Sequence, residues 1–224
     1  MKEQLQKDFD NIVKNLSLSQ KDIEIKQFYL DNFINKGFPN RKEEDWKFSD
    51  LNQIIKKDIG EISFYSDYTH TNKVDTSVFV DGLEHNKIVF INGRIEKIDF
   101  DYEKKNQIEI IDQSETINEF SNNNSLSDLN NAFTNKSFKI LLKNGYQLQK
   151  PLIIYHTTNS KIWSKNINLR LDFELGKDSS LRLIDLFNDT SEKNFLNIFY
   201  NFNLKENSVL KNYKVDKLEN KNIK

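Results

Sequence analysis

The chain has 224 residues, 37% of them hydrophobic, and 33 Lys and Arg nearly balance 34 Asp and Glu, leaving a net charge of -1. That balance supplies no electrostatic footprint for nucleic acid or an anionic membrane. The absence of cysteine excludes disulfides, thiolate metal sites and a Cys nucleophile within these residues.

Mean hydropathy is low, at -0.72, yet 17 Phe and 8 Tyr bury a large area per residue, so a folded chain is expected. The first residues, Met1 to Asp8, carry no apolar core of a secretory signal. No apolar run is long enough to span a bilayer, so a cytoplasmic location is the default expectation.

The N-terminal part reads as helical. Leu5, Phe9, Ile12, Val13 and Leu16 recur at helical spacing. Ser19 can cap a second helix, with Asp22 three residues on as its capping-box partner. Ile23, Phe28, Phe33 and Ile34 supply that helix with an apolar side. Gly37 ends it by taking a positive φ, and Pro39 cannot continue it. Glu43, Glu44 and Asp45 suit the first turn of a third, short helix carrying Leu51, Ile54 and Ile55, with Trp46 as a hydrophobic anchor.

From about residue 77 the pattern changes to strands. Lys87–Ile91 and Arg94–Ile98 flank Asn92-Gly93, a strong hairpin signal because both residues tolerate positive φ. Residues 121–124 read as a loop, and Leu126, Leu129, Asn130 and Phe133 predict a short helix. The segment Asp172–Leu181 then resembles Asn201–Leu210: Phe173, Leu175, Ser179 and Leu181 align with Phe202, Leu204, Ser208 and Leu210. Lys139–Leu148 fits the same frame, with Ile140, Leu142 and Leu148 in the equivalent places. Units repeating at a spacing of about thirty residues fall in the range of solenoids, whose stacked units share one core.

The expected fold is therefore mainly β with an N-terminal α part: a helical domain over 1–76, then a parallel β-helix core over 77–224. A sandwich of hairpins is the competing reading, since alternation alone does not choose pairing partners. A solenoid also normally closes with a capping unit. None is legible after Val215, which points to an N-terminal portion of a longer protein, cut before the end of the β core.

No residue group stands out as a catalytic or metal-binding constellation, so no catalytic, cofactor-binding or metal site is assigned. His70, His85 and His156 lack ligand spacing and read as surface or strand residues. The six glycines are scattered, with no phosphate loop or nucleophile elbow. Asp172 and Glu174 share a face of an alternating strand, and Asp185 falls on the next one. Such a carboxylate patch is what a β-helix carbohydrate-active enzyme would need, although a solvated face is the plainer reading. Trp163 reads as a loop anchor.

Several segments, in order, resemble the SufD family, scaffold proteins of the SUF iron–sulfur cluster assembly system. The most specific is Gly37-Phe38-Pro39-Asn40-Arg41-Lys42-Glu43-Glu44-Asp45-Trp46, followed by Lys47-Phe48 and Asp50-Leu51. Val89–Arg94, Leu129–Phe133 and Lys150–Ile154 are similar to later family segments. The Arg41–Trp46 opening favours SufD over the paralogous SufB. The resemblance implies a helical domain, a β-helix core and a C-terminal helical domain. It also implies a non-enzymatic scaffold role beside a SufB-like paralogue and a SufC-like ABC ATPase, with the main contacts downstream of this chain. The iron–sulfur cluster is the product of that complex, and no cofactor is assigned to this chain. A generic β-helix interaction module is the remaining alternative.

Overall fold

A computed structural model describes residues 2–16, 18–60, 63–64, 73–113, 124–158, 162, 164–189 and 194–216. His70 and Trp163 lie outside the described residues, as does most of the loop expected over 121–124. The first helix, α1 (Lys2–Lys14), buries Leu5, Phe9 and Ile12. The second, α2 (Gln20–Lys36), opens on the Ser19 cap: the Asp22 backbone N–H donates to Ser19 Oγ, and the Asp22 carboxylate accepts from the Ser19 backbone. It closes at Gly37, whose φ is 74° and whose N–H donates to the Phe33 carbonyl.

The buried stripe of α2 is Lys26, Tyr29, Leu30 and Phe33; of the expected apolar side, Phe33 is buried and Ile34 packs on the helical core, but Ile23 and Phe28 do not belong to it. Phe28 is 60% exposed. A lysine at the head of an apolar stripe disguised its period. The expected third helix is divided. Glu44–Trp46 form a single 3-10 turn, and α3 (Leu51–Ile54) starts afresh on Asp50, whose carboxylate accepts from the Gln53 N–H. Asp50 has extended backbone, so the acidic run before it ends in a turn rather than entering the helix.

The fourth helix, α4 (Ser125–Phe133), packs against α2. Lys36 pairs with Asp128 in the first turn of α4 at 2.8 Å. At the other end the Lys26 ammonium donates to the carbonyls of Asn131, Ala132 and Thr134, at 3.1, 3.4 and 2.6 Å. These are carbonyls that a helix end leaves without partners, and a cation also suits the negative end of the helix dipole. Leu129, Ala132 and Phe133 of α4 share one core with Phe9, Leu30, Phe33, Leu51 and Phe64. The helical core thus draws on residues on both sides of position 76.

Among the described residues ten strands form two sheets: β1 (Ser63–Phe64), β2 (Asn86–Ile91), β3 (Arg94–Asp99), β4 (Ile108–Asp112), β5 (Ser137–Leu142), β6 (Leu152–Thr158), β7 (Lys165–Leu175), β8 (Ser180–Asp189), β9 (Phe195–Leu204) and β10 (Val209–Asp216). The Asn92-Gly93 turn joins β2 and β3 as an antiparallel hairpin, with φ of 53° and 79° at the two turn residues. From β6 onward, each strand lies in the opposite sheet to the one before it. One sheet pairs β5, β7 and β9 in parallel, with antiparallel β4 beside β5 and β1 on the start of β7. The other pairs β2, β6, β8 and β10 in parallel, with β3 on its edge.

The residues aligned by the internal repeat are register partners: Ile140 with Phe173, Phe173 with Phe202, and Leu181 with Leu210. Their apolar side chains form the core between the sheets, together with Ile88, Phe90, Leu152, Ile154, Leu169 and Leu171. The class is a mixed α/β protein with two sheets.

The connecting turns stack as well. Gly145, Asp178 and Asn207 occupy equivalent places and all have positive φ, 71°, 57° and 56°. Glycine, Asp and Asn are the residues that tolerate this conformation. The Ser179 and Ser208 hydroxyls each donate to the carbonyl three residues back, Gly176 and Lys205, both at 2.6 Å. Gly176 leaves no room for a side chain: a Cβ there would lie 2.5 Å from the Asn144 backbone nitrogen.

Candidate functional site

The carboxylates that a sugar-cleaving site would need do not converge. Asp172 and Glu174 point to the same outer face of β7, as alternation requires. Asp172 is buried there against Arg170, whose Nε and Nη2 donate to it at 3.2 Å. Glu174 pairs with Lys139 of the neighbouring strand at 2.5 Å, and that pairing lowers its pKa. Asp185 sits on β8 in the other sheet, on its inner face, 3% exposed.

Asp185 instead belongs to a polar cluster inside the sheet core. Tyr200 reaches across from β9, and its hydroxyl donates to Asp185 Oδ1 at 2.5 Å. With its one proton committed there, the Tyr200 oxygen accepts from His156 Nε2 at 2.8 Å. His156 Nε2 is also 3.5 Å from Asp185 Oδ1. The imidazole is held in a stack, its centroid 5.5 Å from the Phe90 ring and 4.8 Å from the Phe187 ring. The stack follows from the register, since Phe90, His156 and Phe187 are consecutive ladder partners. The Lys214 ammonium lies 4.6 Å from the Phe187 centroid and extends the column.

Burial lowers the pKa of His156, against an opposing pull from Asp185. Burial, with Asp185 beside it, raises that of Tyr200. Neutral His156 therefore presents Nε2–H to a Tyr200 that stays protonated, and the hydrogen bonds run one way, from His156 through Tyr200 to Asp185. A void of about 10 Å³ lined by Phe90, Gly93, Thr157 and Leu196 borders His156. That volume holds one water at most. What the arrangement does is fix the two sheets in one register, because a slip of one residue would leave a carboxylate, a hydroxyl and an imidazole buried without partners.

Sequence reading placed His85 and His156 at the surface or in strands. His156 is in a strand, but both are buried, and no sequence signal marks the burial of His85. The signal for His156 was its alternation with Leu152 and Ile154. Among the described residues no group of three or more His, Cys, Asp or Glu gathers as a metal site, and no helix is long and apolar enough to cross a membrane.

The Gly37–Leu51 stretch divides between core and surface. Phe38 and Leu51 are buried, and Phe38 packs edge-on against Phe33 at 5.0 Å and Phe195 at 6.2 Å. Trp46 is half-buried against the helical core. Arg41 to Asp45 are exposed, and Phe48 is 87% exposed with the Lys47 ammonium 5.4 Å from its ring centroid. Neither the models of known protein families nor the curated proteins include a match to this chain.

Proposed function

We propose that this chain is a non-enzymatic, cytoplasmic scaffold subunit of an iron–sulfur cluster assembly system, similar to SufD. The observation that carries the reading is the Gly37–Leu51 stretch. Its Arg41–Asp45 charges and Phe48 face solvent, where a partner can reach them, and this supports the reading. The finer reading of the fold belongs to the same proposal. Strands β5 to β10 alternate between two sheets and pair in parallel with the strand two further on, which supports a parallel β-helix core. A helical domain over 1–76 and a β core over 77–224 complete that reading. In this role the iron–sulfur cluster is cargo of the assembled complex.

The partners proposed are a SufB-like paralogue and a SufC-like ABC ATPase. The test is a pull-down with both purified partners, using residues 1–224 and a form extended by whatever the coding sequence specifies after Lys224. Assembly by the extended form, with weak SufC retention by residues 1–224, is the expected result. Failure of both forms to bind either partner overturns the proposal.

A further inference from the structure

Residues 73–85 run as a strap across the outer face of the β2–β6–β8 sheet. Val74, Val78, Phe79 and Val80 cover Val89, Ile91, Ile153, Tyr155 and Leu186. The strap is tied down through one hydroxyl. Tyr155 Oη, on a side chain 1% exposed, accepts from the Val80 backbone N–H at 3.1 Å and meets His85 Nε2 at 2.7 Å. His85 Nδ1 lies 2.5 Å from the Leu83 carbonyl, which can only accept, so Nδ1 carries the ring proton. Nε2 is then the acceptor and Tyr155 the donor. Every polar group in the knot has a partner, but only with a neutral imidazole.

We infer that the strap is an acid-released latch, with His85 as the group whose protonation undoes it. A proton on Nε2 sets two N–H donors against the Tyr155 oxygen and turns the phenolic hydrogen into the apolar layer without an acceptor. The charged neighbours do not rescue the imidazolium. On β2, the Lys87 ammonium donates to the His85 carbonyl at 3.3 Å and opposes a second charge. On β3, Asp99 favours the charged ring but is engaged by Lys87 and Lys97, at 3.3 and 3.9 Å. On the strap, Glu84 pairs with Lys150 at 2.6 Å and Asp81 is exposed. β6 contributes Tyr155 itself. Burial holds the His85 pKa below its ordinary value, in keeping with a ring that stays neutral while the strap is closed.

The chain has no cysteine, so one introduced thiol is a clean reporter. Val89→Cys lies under the strap, and Ile154→Cys, between the sheets, reports global opening. Each is labelled with a pyridyl disulfide from about pH 7.5 to about pH 5, relative to an unfolded control. The expected result is an increase of about tenfold or more at position 89, beyond any increase at 154. The increase disappears when His85→Gln, which accepts from Tyr155 but does not titrate, is added. Equal increases at 89 and 154, or an unchanged increase with His85→Gln, overturn the latch. Should His85→Gln fail to fold, hydrogen exchange on the unaltered chain decides. Val80 must lose protection more steeply with acid than Ile154 does, and parallel loss overturns the proposal.

Discussion

Lys26 sits where an apolar residue would be expected and holds three carbonyls at the end of α4. Burial lowers its pKa from 10.5 to about 8, against a smaller opposing effect of Asp22. The sign of the stability effect follows from proton counting. Between about pH 8 and about pH 10.5 the unfolded chain keeps a proton that the folded chain has released, so stability rises with pH across that window. The rise is on the order of 3 kcal/mol if the whole shift is expressed. Lys26→Met removes this rise and, near neutral pH, leaves the α4 carbonyls without their charged donor, at about 1–2 kcal/mol. Denaturant unfolding of both proteins across that pH range checks it; parallel pH profiles would show that Lys26 is solvated.

Elements were legible to different degrees, for physical reasons. The Ser19 cap, the Gly37 stop and the Asn92-Gly93 hairpin are local chemistry, written in adjacent residues. The repeat also carried register, because stacked units must put like beside like: Phe173 meets Phe202, and Asp178 and Asn207 share a positive-φ turn. The third helix carries Leu51 and Ile54 as expected but starts after Asp50 rather than at Glu43, because Asp50 competes as a cap. The His156–Tyr200–Asp185 cluster was not legible at all, since it depends on which strand faces which across the core. Gly176 tests the stacked turns. Gly176→Ala drives a Cβ into the Asn144 backbone and is expected to cost roughly 1–3 kcal/mol in thermal or denaturant unfolding. A neutral result would mean that the turns slide apart at no cost.

On the scale of the whole molecule, two sheets lie between a helical layer and the strap. Asn130 of α4 donates to the Leu169 and Asn197 carbonyls of β7 and β9, which seats the helices on one sheet. Tyr200 is the polar link between that sheet and the other. Tyr200→Phe leaves Asp185 and His156 buried without their shared partner and is expected to cost about 3 kcal/mol. Replacing all three, His156→Leu, Asp185→Leu and Tyr200→Phe, is expected to recover much of that loss, because an apolar core has no polar group to strand. Chemical denaturation of the two variants distinguishes a register-fixing role from a merely stabilising one; equal losses would count against it.

The alternation of strands between sheets also sets an order of events in time. Asn86 must wait for Leu152 before β2 gains its parallel partner, with β3, β4, α4 and β5 synthesised in between. Phe202 meets Phe173 after a far shorter stretch of chain. Loop-closure entropy makes the first of these encounters the costlier of the two, so β6 is expected to dock on β2 more slowly than the later strands add to the edge it completes. The Gly176 turn then belongs to the late phase, and Gly176→Ala speeds unfolding while leaving the folding rate nearly unchanged.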